Sequence, residues 1–119
     1  MSTRKPEKWN VAALLKRRAP RDASAHWDWL AEGRHATLNY VQSRGINAPH
    51  DHDHHDEVLY VLEGEGSFRI GDDTVPLTAG DVFFVPAGTV HTPIIGGTEK
   101  TLSIYAPPFD PANPDRRYV

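Results

Sequence analysis

The chain has 119 residues, a moderate apolar fraction and a formal charge of −3, enough for one domain with one core and not two. No overall positive charge marks a nucleic-acid binder. The longest apolar run near the start, residues 11–15, is too short for a signal-peptide core, and no stretch is apolar enough to span a bilayer, so the expected compartment is the cytoplasm. Cysteine is absent; this excludes disulfides, thiolate metal ligands and a cysteine nucleophile.

In chain order, residues 1–34 read as an N-terminal arm, 35–106 as the folded body and 107–119 as a proline-rich tail. Arg4, Lys5, Lys8, Lys16, Arg17, Arg18 and Arg21 make the arm basic, as a solvated segment would be. Residues 9–16 suit one or two amphipathic helical turns with Trp9, Ala12, Ala13 and Leu15 inward, ended by Pro20. Trp27, Trp29 and Leu30 are too apolar for a free tail and are expected to pack on the body or against a partner subunit.

From Ala36 the texture becomes that of strands. Residues 36–43 alternate, with Leu38, Tyr40 and Gln42 on one face and Thr37, Asn39 and Val41 on the other. Residues 58–62 are apolar throughout, as in a strand buried on both faces. Residues 67–70 and 74–77 read as a hairpin turning at Gly71-Asp72-Asp73. A short strand over 82–85 closes at Pro86-Ala87-Gly88. Pro93 interrupts residues 90–95, which suggests an edge or a bulge, and residues 100–105 alternate cleanly. The prolines at 107, 108, 111 and 114 predict a tail running extended over the surface. Many short strands between Gly and Pro turns predict an all-β sandwich or small barrel.

The chemistry concentrates in two segments. Residues 50–57 read His-Asp-His-Asp-His-His-Asp-Glu. His50 and His52 fall on the same face of an extended chain, so both imidazoles can reach one ion, and Glu57 opens the next strand. His91 follows the Pro86–Gly88 corner. Three imidazoles and one carboxylate suit one divalent transition metal (Fe, Mn, Zn, Ni, Co or Cu), with positions left open for water or substrate on an ion that prefers six. His54 and His55 are expected to be non-ligands that line the mouth or donate supporting hydrogen bonds. His26 and His35 have no partners in sequence and read as ordinary histidines. Tyr40, Gln42 and Tyr105 are the aromatic and polar residues expected to line a ligand pocket.

Both segments resemble the signature motifs of the cupin superfamily. The first is His50-Asp51-His52, four residues, Glu57, six residues, Gly64. The second is Gly80, five residues, Pro86-Ala87-Gly88, two residues, His91. The resemblance covers about residues 37–105. It implies a cupin jelly-roll β-barrel with a short N-terminal arm or helix, and it carries the metal ligands onto His50, His52, Glu57 and His91. One position departs from it: the family's Asn four residues after the last histidine is Ile95 here, which implies a more apolar pocket.

The resemblance implies a metal-dependent enzyme acting on a small organic molecule. A dioxygenase-type oxidoreductase leads; a decarboxylase, isomerase or lyase, and a non-catalytic small-molecule sensor, are the alternatives. A sugar epimerase would need a lysine or histidine paired with a tyrosine, and Lys100 is the only lysine after Lys16. The resemblance also implies a homodimer with no nucleic-acid or membrane partner.

Overall fold

The computed structural model describes residues 5–20, 25–46, 50–51, 54–110, 112 and 117–118. One helical turn, α1 (Val11–Leu14), precedes nine strands: β1 (Ala25–Glu32), β2 (Thr37–Ile46), β3 (His50–Asp51), β4 (Asp56–Glu63), β5 (Glu65–Ile70), β6 (Asp73–Thr78), β7 (Val82–Val85), β8 (His91–Ala106) and β9 (Arg117–Tyr118). Every pairing is antiparallel. The architecture is the all-β jelly roll that the sequence predicted.

β8 organises the barrel. It pairs with β2 from Thr37↔Tyr105 to Ile46↔Ile94, with β4 from Asp56↔Ala106 to Glu63↔Lys100, with β5 from Gly66↔Ile95 to Ile70↔His91 and with β3 at His50↔His91. Pro93 does not end the strand, which continues past it opposite Phe68. On the β2 side the register shifts between Arg44 and Ile46, opposite the stretch that carries Gly96 and Gly97, so the bend falls there.

Leu59, Val61, Phe68, Leu77 and Val85 form the apolar core, with Ile70, Val75 and Phe83 packed against it. They come from β4, β5, β6 and β7, whose alternate residues point inward. Residues 58–62 are therefore not buried on both faces: Leu59 and Val61 face the core, and Tyr60 is 40% exposed between them. The hairpin forms as predicted, with Ile70 paired to Asp73 across Gly71 and Asp72.

The arm departs from its expected details. Asn10 caps α1 by accepting from the Ala13 amide at 3.1 Å, and Leu14 is the residue buried, while Ala12 and Ala13 are exposed. Of the predicted inward set Trp9 and Leu15 are half-buried, and the buried contact is made by Leu14, which is larger than either alanine. The arm is clipped down by Lys100, whose Nζ donates to the Leu15 carbonyl at 3.1 Å, and by Arg17, 3.3 Å from the Asp28 carboxylate.

β1 contains the Trp-Asp-Trp-Leu segment and is bonded along its length to β2. Trp27 stacks on Trp29 with ring centroids 6.0 Å apart, and Trp29 on Phe109 at 5.5 Å. Both tryptophans thus cover the interior of their own chain. The tail does not simply run over the surface: Phe109 is buried, its amide donating to Thr37 Oγ1 at 3.2 Å, and β9 pairs with β3.

Candidate metal centre and ligand cavity

The two signature segments meet at one end of the barrel. Glu57 pairs with Val85 across β4 and β7 and with Tyr105 on β8, and it is 6% exposed. Gly88, at φ +83°, makes the corner that returns the chain to His91. Asp56 anchors that corner by accepting from the Ala87 amide at 2.9 Å. His91 Nε2 then lies 3.4 Å from Glu57 Oε1, and the His50 ring lies 4.4 Å from the His91 ring, centroid to centroid.

His91 Nδ1 is 2.9 Å from the Thr89 carbonyl oxygen. A carbonyl only accepts, so Nδ1 carries the proton, and in the neutral ring Nε2 is an acceptor. That nitrogen faces a carboxylate oxygen. Two acceptors in this arrangement repel unless a proton or a cation lies between them. Two donor atoms each about 2.1 Å from one ion stand roughly 3.0–3.4 Å apart, and the observed 3.4 Å matches. Among the described residues no group of three or more His, Asp or Glu side chains is arranged to hold an ion. His52, the fourth residue of the set expected from the sequence, lies outside the described residues, as does the side chain of Ile95.

His54 is exposed. His55 is buried and packs structurally: Nδ1 donates to the Pro107 carbonyl at 2.6 Å, and its ring lies against Tyr105 and Phe109.

His50, Glu57 and His91 open onto a cavity of about 220 Å³ inside the barrel. Trp27, Leu59 and Phe68 form its apolar side. The other side comes from β8, where Glu99, Thr101, Ser103 and Tyr105 line the cavity and none is more than 3% exposed. Tyr105, expected as a pocket residue, is in this wall. Tyr40 and Gln42 are not. They share a face of β2 with Leu38, turned away from the cavity, and Val41 and Ser43 line it instead. Tyr40 is buried on the outer side of the barrel, paired with Asp28 and Leu102. Burial there raises its phenol above the usual range, with the charges of Glu63 and Asp28 adding to the rise.

Sequence reasoning did not single out Glu99. It is 3% exposed, and among the described residues its Oε2 has no hydrogen-bond partner. Burial pushes its carboxyl up to about 7, and the Glu57 charge adds to that rise. The signal was present in the sequence. Glu57 must point inward, Tyr105 is its cross-strand partner, and period-two alternation then turns Ser103, Thr101 and Glu99 inward.

The Cupin_2 family, described as a cupin domain, matches residues 38–106. The oxalate-binding protein of Thermotoga maritima is 42% identical over 43 residues, 36% of this chain and 36% of that protein, so the match spans about a third of that relative's length. Among solved structures, a conserved protein with a double-stranded β-helix domain from Klebsiella pneumoniae superposes with a TM-score of 0.75 at 18% identity, over 97% of this chain and 98% of that one. Pac13, a Streptomyces nucleoside dehydratase, superposes with a TM-score of 0.70 at 20% identity, over 97% and 92%. At these identities the two structures share the fold. With most of the barrel, from β2 to the end of β8, inside the family match, the chain belongs to the Cupin_2 family of cupin domains.

Proposed function

We propose that this chain is a metal-dependent cupin that binds a small oxygen-bearing organic molecule in its barrel. His50, His52, Glu57 and His91 would hold one divalent transition metal. The observation that carries this reading is the approach of His91 Nε2 to Glu57 Oε1 at 3.4 Å, with His91 Nδ1 turned to the Thr89 carbonyl, which is the spacing of two ligand atoms on one cation. Such an ion supplies Lewis-acid polarisation, water activation or, as iron, dioxygen binding. The chain's own part is to bind and orient. Thr89 fixes the His91 tautomer, Trp27, Leu59 and Phe68 exclude water, and the β8 wall offers polar atoms.

Dioxygenase-type oxidation is the reaction class first expected. Glu99 favours a second one, isomerase or lyase chemistry, because a carboxyl held near neutrality can both give and take a proton. A homodimer is also part of this reading: Val82 and Phe84 are 63% and 58% exposed on the outer face of β7, and light scattering tests the stoichiometry.

The deciding experiment is elemental analysis of protein purified without added metal, followed by oxygen-uptake and substrate-isomerisation screens with the ion found. Stoichiometric metal that disappears in His91→Ala supports the reading. Wild-type protein that takes up no divalent transition metal refutes it.

A further inference from the structure

The polar wall of β8 exceeds what a metal site needs. A barrel interior is ordinarily closed by apolar side chains, as Leu59 and Val61 do on the neighbouring β4 and Val85 does on β7. At the corresponding inward positions of β8 stand Glu99, Thr101 and Ser103, and Ser43 lies directly across from Glu99 on β2. All four line the cavity. The cross-strand pairing sets Glu57 beside Tyr105 and Glu99 beside Ser43, so the two carboxyls enter the cavity at different levels.

Hydroxyls of Ser and Thr adapt to burial because each donates and accepts. A carboxyl does not. A buried acceptor oxygen with no partner among the described residues is a cost that the ligand-free protein carries without return. Gly64 lies beside this strand position. A Cβ there would sit 3.0 Å from the Glu99 Cα, so the two backbones pass close at that point.

We infer that the cavity takes a small hydroxylated carboxylate, with a ligand hydroxyl donating to Glu99 Oε2 and the ligand's acid oxygen at the His50–Glu57–His91 end. The second half of this statement rests on the metal reading above; the first half does not. A hydroxyl fits better than an ammonium group. It donates to the carboxylate and accepts from the carboxylic acid, so it serves both states of a group held to about 7. It also pairs with Ser43 and Thr101 in either sense. An ammonium offers donors alone.

The test is calorimetric titration of the protein, with the metal it carries and again after chelation, against propionate, lactate, glycerate and 3-aminopropionate. Glycerate should bind at least tenfold more tightly than propionate, with lactate between them, since a hydrogen bond to a charged partner commonly supplies that ratio. At pH 8, where wild-type Glu99 is ionised, Glu99→Gln replaces the charged acceptor by a neutral one, so the glycerate-to-propionate ratio should fall to within about threefold, with metal content unchanged. The ratio reports on Glu99, whereas a common loss of affinity on chelation reports on the metal, so either half can fail without the other. Wild-type protein that takes glycerate no better than propionate, or takes neither, overturns the inference. A preference for 3-aminopropionate, or an undiminished ratio in Glu99→Gln, overturns it too.

Discussion

The carboxyl of Glu99 makes stability depend on pH in a way that one substitution should remove. The unfolded chain releases this proton near 4.5, and the folded chain holds it to about 7. Below pH 4.5 both states are protonated and the group costs nothing. Between 4.5 and 7 the unfolded state ionises first, so folding loses stability as pH rises, and above 7 the full cost stands. A rise of that size, at about 1.4 kcal/mol per unit, is worth on the order of 3 kcal/mol. Glu99→Gln keeps the shape and removes the titration. In urea unfolding of metal-free protein, the variant should match wild type at pH 4.5 and exceed it by about 3 kcal/mol at pH 8. With a urea dependence of roughly 1–3 kcal/mol per molar, that is a midpoint shift of about 1–3 M. The gain should shrink when metal is added, because a cation beside Glu57 removes the second cause of the rise. A gain equal at both pH values would mean that packing, not charge, is responsible. No gain at pH 8 would mean that the carboxyl is solvated in the native barrel.

His91→Ala should lower metal occupancy at least tenfold in elemental analysis while far-ultraviolet circular dichroism still reports the barrel; His54→Ala should stay within about twofold of wild type. His55→Ala should leave occupancy alone and cost about 2 kcal/mol in denaturant unfolding, through the lost bond to Pro107 and the lost ring contacts. Metal should be released as pH falls through roughly 6 to 5, because imidazole must be neutral to ligate; full metal content after dialysis at pH 4 would contradict a histidine site. Gly64→Ala should destabilise by about 2–3 kcal/mol or more, since φ is +114° and the new Cβ meets the backbone of Thr98 and Glu99 at 3.0 Å; an unchanged unfolding midpoint would show that the turn has room to relax.

The strands were legible wherever one face is apolar and the other polar, as in the β5–β6 hairpin. They were harder to read where both faces are covered. Tyr40 and Gln42 seemed ligand-facing because β2 has no wet side: its inner face is in the barrel, and on its outer face Tyr40 lies beside Asp28, which Arg17 of the arm grips. Hydrophobic alternation then carries no information about direction, and only the register with β8 supplies it. β1 was missed as a strand because its alternation sets large aromatics against Asp28, and the rings of Trp27 and Trp29 read as surface covering. The approach of His91 to Glu57 was readable from motif spacing, since the Pro86–Gly88 corner is a local device. The role of His55 was not, because its partner Pro107 lies fifty-two residues away in a tail whose sequence announces only that it is extended.

β8 carries a last consequence. It is hydrogen-bonded to β2, β3, β4 and β5, so it cannot slide by one residue without exchanging Glu99, Thr101 and Ser103 for Lys100, Leu102 and Ile104 across the whole inner wall. Its backbone is fixed by four neighbours, while its inward side chains are not needed for any of those bonds. Descendants of this barrel would therefore acquire new ligands by point replacement at every second position of a single strand, and deletions within that strand would be lethal to the fold before they could alter its selectivity.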